Sequence, residues 1–89
     1  MKQDTKLSIP PQVMSRLVGE ETVLLDLKSG TYFGLDGVGQ LIWESIADGK
    51  SIGETAATIV EEYEIDEAQA SADVQAFTED LVERGLLTH

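Results

Sequence analysis

The sequence predicts an α+β domain in which a three-stranded antiparallel sheet is followed by three helices. Two-residue alternation of apolar side chains is confined to the first third of the chain, and after Asp36 the spacing changes to three and four residues. Glycines or helix-capping residues stand at the joints. Residues 1–11 read as a flexible lead-in closed by Pro10-Pro11, which cannot join a helix and disfavours a regular ladder. Residues 12–89 read as one domain.

Val13–Val18 forms a first strand that ends at Gly19-Glu20. Thr22–Leu27 forms the second, with Val23, Leu25 and Leu27 on one face and Leu24 and Asp26 on the other. Lys28-Ser29-Gly30 is a tight turn, because glycine takes the positive φ that a hairpin loop needs. The third strand is Thr31–Leu35. If Phe33 points to the core, Tyr32 points away from it.

Asp36 is a good N-cap for the first helix, whose stripe is Val38, Leu41, Ile42, Ser45 and Ile46, with Gly49 as its stop. Ser51-Ile-Gly-Glu54 has the capping-box pattern and opens a second helix that buries Ile52, Ala56, Ile59 and Val60. Asp66-Glu-Ala-Gln69 repeats the pattern for the third, with Ile65 and Ala70 placed as a hydrophobic staple. Ala70, Val74, Phe77 and Leu81 line one face before Gly85 ends the helix.

An 89-residue chain has room for one small core and a shallow binding surface rather than a deep cavity. It contains no cysteine, which excludes disulfides, thiolate catalysis and cysteine-ligated zinc. It has neither the apolar run of a secretion signal nor a bilayer-length apolar stretch, so a cytoplasmic location is the expectation. Seventeen acidic residues against six basic ones give a net charge of −11. Nucleic acids and anionic membranes are bound largely through lysine and arginine, and this balance argues against both.

Tests for chemistry return structural explanations. The one histidine is the terminal His89, a poor general base. Glu61, Glu62, Glu64, Asp66 and Glu67 offer hard-cation ligands but lack the glycine turn and ligand spacing of an EF-hand, and a helix end followed by a cap accounts for them. Gly34, Gly37 and Gly39 suggest a phosphate cradle, yet their order fits neither the dinucleotide fingerprint nor the P-loop. No catalytic residue, metal site or cofactor is expected. Trp43, Phe33 and Phe77 read as core.

Gly30-Thr-Tyr-Phe-Gly-Leu-Asp36, with Gly39 and Ile42-Trp43-Glu44 after it and Thr22-Val-Leu-Leu-Asp-Leu27 before it, resembles the PqqD-like family of peptide recognition elements. Within that family it is similar to the stand-alone leader-binding (B1) proteins of lasso peptide biosynthesis. In length and order the likeness runs from about Val13 to Leu87, and its specific part is residues 22–44.

The resemblance implies a winged-helix-like fold that binds the leader of a ribosomally made precursor peptide. The leader would add as a strand along Thr31, Tyr32, Phe33, Gly34 and Leu35, with side chains entering a groove against Asp73, Val74, Phe77, Asp80 and Leu81 of the third helix. It further implies a leader peptidase and a macrolactam synthetase as partners, and a leader read at a tyrosine and a proline. Strand addition needs an unpaired edge, and acids beside an apolar stripe would favour a peptide with some positive charge. The helical wheel puts Asp73, Asp80 and Arg84 on one flank of the stripe and Val82 on the other, leaving open which flank faces the groove. Two other readings stand beside this one: a PqqD-type partner of a radical enzyme making another modified peptide, and a winged-helix DNA-binding regulator.

Overall fold

Two hairpin turns set the sheet. In the computed structural model, which describes residues 2–89, Gly19 and Gly30 take φ values of +65° and +73°, a region that side chains disfavour. They join β1 (Val13–Val18), β2 (Glu21–Asp26) and β3 (Thr31–Leu35) into an antiparallel sheet of order β1-β2-β3. Val13 stands opposite Asp26 and Val18 opposite Glu21, while Thr22 pairs with Leu35 and Asp26 with Thr31. β2 stops at Asp26 because that residue already belongs to the turn. Its Oδ1 accepts from the Lys28 amide and its carbonyl from Gly30.

The register decides which side of β2 is core, and it selects the less apolar one. Thr22 and Leu24 face the helices, Leu24 with no exposure, whereas Val23 and Leu25 lie half-buried on the outer face and Leu27 is exposed. The cause lies in β3. Leu35 is buried next to the start of the helical layer, and its pairing with Thr22, together with that of Phe33 with Leu24, turns those two residues of β2 inward.

The helices follow as α1 (Gly37–Ala47), α2 (Ile52–Tyr63) and α3 (Glu67–Glu83). Asp36 caps α1, its Oδ1 accepting from the Gly39 amide at 2.7 Å. The Ser51–Glu54 box is complete, with the Glu54 amide donating to Ser51 Oγ at 3.2 Å and the Ser51 amide to Glu54 Oε1 at 2.9 Å. At α3 only half of the expected box forms. Asp66 accepts from the Gln69 amide, but the Gln69 side chain donates forward to Asp73. Glu64 ends α2 in the left-handed region at φ 52°, a place where glycine is the usual residue.

Ile42, Trp43, Ile46, Ile52, Ile59, Ala70, Val74, Leu81, Leu86 and Leu87 pack with Leu24 and Leu35 into one core. The lead-in departs from its expected looseness. Leu7 is 5% exposed and belongs to the core, and the Ser8 amide and Thr88 carbonyl, with their reciprocal pair, form an isolated bridge. The first amides of α2 supply the reason. Ile52 and Gly53 have no acceptors within their own helix, and they donate instead to the carbonyls of Thr5 and Gln3 at 2.9 and 2.7 Å.

Replacing Ser51 by Ala should destabilise the domain by about 1 kcal/mol, seen as a melting temperature lower by roughly 4–8 °C. Hydrogen bonds from the Ser51 amide, and then from its side chain, hold the Glu54 carboxyl below its ordinary value of 4.5. A carboxyl lowered on folding contributes stability that is present above that value and is lost as pH falls through the folded one. The stability difference between wild type and Glu54→Gln should therefore shrink on acidification, as measured by denaturant unfolding across pH.

Candidate functional site

β3 pairs on one side only, with β2, so alternate residues of Thr31–Leu35 direct backbone N–H and C=O groups away from the sheet. β1 is also an edge. Beside β1 lies a depression of about 230 Å³ lined by Ser15, Arg16, Leu17 and Thr22 of the sheet and Gln40, Trp43 and Glu44 of α1. Next to β3 is a groove of about 170 Å³ lined by Asp26, Ser29, Thr31, Phe33, Arg84 and Leu86. Small-molecule sites run to roughly 300–1,000 Å³, so a groove of this size suits one side chain of a longer ligand.

The far end of the chain builds the second wall. Arg84 caps α3, and Gly85 at φ +77° turns the backbone so that Leu86 and Leu87 drop into the core, the Leu86 amide donating to the Leu81 carbonyl at 2.8 Å. The Arg84 guanidinium carbon sits 4.9 Å from the centroid of the Phe33 ring. One turn back, both oxygens of Asp80 accept from Arg84 Nε at 3.1 Å. Both side chains of that ion pair are about half exposed, so it adds only a few tenths of a kcal/mol. Its effect is positional, holding a planar cation over an aromatic face at the mouth of the groove.

The expected site residues divide. Thr31 and Tyr32 are exposed on the edge strand, Phe33 is half-buried under Arg84, and Leu35 is core. Gly34 is open, with no heavy atom within 4 Å of the place its Cβ would take. On α3, Asp80 reaches the groove through Arg84, whereas Val74 and Leu81 have no exposure and belong to the core rather than to the groove's lining. Phe77 is half-buried and turns toward α1, where a Cβ on Gly39 would come within 3.1 Å of its ring. Asp73 is exposed, its Oδ1 taken by Gln69, and seven residues before Asp80 it lies roughly 10 Å further along the helix.

Sequence reasoning left Asp26, Ser29 and Leu86 out of the site and named Arg84 only as a flank. The signal for Arg84 was its position four residues after Asp80 and directly before the helix-ending glycine. Of the three glycines suggestive of phosphate, Gly34 is open and the other two face neighbours. Gly39 makes room for Phe77, a Cβ on Gly37 would meet the Tyr63 hydroxyl at 3.4 Å, and the Asp36 carboxylate already occupies the helix start. Among the described residues, no group of three metal-ligating side chains is gathered, and no helix is long and apolar enough to cross a membrane.

The family model of coenzyme PQQ synthesis protein D (PqqD) matches residues 21–87. Two solved structures resemble the chain over nearly its whole length. TbiB1 in complex with the TbiA(beta) leader peptide superposes with a TM-score of 0.85 at 39% identity, covering 90% of this chain and 93% of that one. A lasso peptide synthetase B1 complexed with its leader peptide superposes with a TM-score of 0.89 at 28% identity, covering 96% and 100%. No curated protein matches the sequence.

A double-mutant cycle between Arg84→Met and Phe33→Leu, read by denaturant unfolding, should return a coupling of about 0.5–1 kcal/mol for the stacked pair. Additivity of the two substitutions would show that the contact contributes nothing.

Proposed function

The chain belongs to the PqqD family, and from that membership we propose that it binds the leader of a ribosomally made precursor peptide, as a lasso-type B1 protein, by strand addition along β3. The observation that carries this reading is the open edge of Thr31–Leu35 running beside the groove between Phe33 and Arg84. Backbone pairing along the edge supplies affinity that is indifferent to sequence, and the groove supplies selection. Its wall of an aromatic ring under a guanidinium suits an aromatic or proline side chain, and the Asp26 carboxylate with the net charge of −11 favours a leader that carries lysine or arginine.

The chain acts as a binding module in the cytoplasm, without a cofactor, and presents the leader to a leader peptidase and a macrolactam synthetase. Asp73 and Phe77, set back from the groove, contact the leader only where it runs further along α3. Val74 and Leu81 act from beneath by holding the helix in place. A partnership with a radical enzyme of another peptide pathway would use the same edge, but of the two leader-bound likenesses one is a lasso peptide synthetase B1. DNA binding has no support in the charge of the chain.

Titration of a fluorescent cognate leader into the protein should give saturable binding, and a leader that fails to bind at any reachable concentration overturns the reading. A pair of proline substitutions tests the strand. Of the adjacent residues Tyr32 and Phe33, one directs its N–H outward and the other donates to β2. One of Tyr32→Pro and Phe33→Pro should therefore abolish leader binding in a protein that still melts cooperatively, while the other disrupts the hairpin.

A further inference from the structure

Residues 2–9 tie the start of α2 to the tail that follows α3. The Ile52 and Gly53 amides stand in the first turn of α2, where the helix offers them no acceptor, and the carbonyls of Thr5 and Gln3 accept from them. Gln3 also reaches α3, its Nε2 donating to Ser71 Oγ at 3.0 Å. At the other end of the segment Ser8 and Thr88 exchange two backbone hydrogen bonds, at 2.7 and 2.9 Å. Leu7, between the two anchors, enters the core.

The tail matters because it carries part of the groove wall. Leu86 lines the groove with Arg84 and stands two residues before Thr88. Past Gly85 the chain has left the α3 ladder, and its backbone is held by bonds from the Leu86 and Leu87 amides to the Leu81 carbonyl, the second long at 3.3 Å, and by the bridge to Ser8. An open hollow of about 410 Å³, whose walls include Pro10, Pro11, Val82, Gly85 and Leu87, adjoins the tail and leaves it unbacked on that side. The bridge therefore restrains the end of the tail. The segment that supplies the bridge is itself lightly held at its start, since Lys2, Gln3 and Asp4 are exposed and hydrogen bonds rather than burial keep them on the helices. Such a segment opens locally at lower cost than the whole domain unfolds.

We infer that residues 2–9 are a positioning strap: docked on α2, they hold the Leu86 and Arg84 wall in the form that accepts the leader, and released, they let that wall relax. The inference rests on the strand-addition reading. Coupling between two sites is reciprocal, so leader bound at β3 must tighten the strap on α2 by the factor that the docked strap adds to leader affinity. No residue of the strap or of α2 lines the groove. An effect of leader on that helix end therefore passes through the tail and the strap.

Amide hydrogen exchange reads the docked state, because the Ile52 and Gly53 amides are protected by strap carbonyls. Cognate leader should slow both amides along with those of β3, while the Glu64 amide, which bonds to Val60 at the other end of α2, keeps its rate. Gly53→Val attacks the strap from the helix side, where a Cβ alone would come within 2.8 Å of Gln3 Oε1 and 3.1 Å of the Gln3 carbonyl oxygen. Leader affinity should fall about fivefold or more in that variant. Ile59→Val, a core truncation on the same helix, should leave it within about twofold, which separates loss of positioning from loss of stability. A leader that slows the β3 amides but not Ile52 and Gly53 overturns the inference and leaves strand addition standing, and so does a folded Gly53→Val protein that binds leader like wild type. Should Gly53→Val fail to fold, exchange in the wild type decides alone. A leader that protects no amide of β3 overturns the strand-addition reading, and the strap's role falls with it.

Discussion

The pairing of β2 with β3 is the constraint from which the remaining geometry follows. With Thr22 against Leu35 and Leu24 against Phe33, one residue set faces the helices and the other faces outward. A slip of one residue would exchange the two sets, because side chains alternate along a strand. The observed register puts Leu24 in the core, leaves Phe33 at the margin where Arg84 reaches it, and sends Tyr32 to the opposite face. One hairpin thereby assigns a core side, a groove side and an outer side. The turn at Lys28-Ser29-Gly30 fixes it, through the hydrogen bonds that Asp26 accepts from Lys28 and Gly30.

Much of this was legible in the residues because local chemistry specified it. Asp36, Ser51 and Asp66 announce helix starts through side chains that accept from amides three residues on, and each does so. Gly19, Gly30, Gly49 and Gly85 mark reversals, and all four take positive φ. What escaped depends on contacts between distant parts of the chain. The face of β2 that becomes core is chosen by β3. The lead-in is ordered by unpaired amides of α2, about 50 residues away by numbering, and no local pattern in residues 2–9 reports that. Glu64 adopts a left-handed conformation with no glycine to signal it.

The candidate site divides along the same line. Its strand was readable because an aromatic strand following a glycine turn is a local feature, and the resemblance rests on that stretch. Its helix wall was only partly readable. Periodicity placed Val74, Phe77 and Leu81 on one face of α3 but could not distinguish the centre of that face, which is sealed into the core, from its margin, where Asp80 and Arg84 reach β3. Burial on a helix varies with the angle around its axis, and an apolar residue at the centre of a stripe supports a site without touching it.

The bridge between Ser8 and Thr88 has a consequence for how such a module can be deployed. Two residues near opposite ends of the chain are hydrogen-bonded neighbours, so the polypeptide path comes close to a closed ring. A domain with adjoining ends can be spliced into a host protein at a single surface loop, entering and leaving at almost the same point, with little strain on either partner. The candidate groove between β3 and the close of α3 uses neither bridged residue, so such a splice would leave its walls as they are.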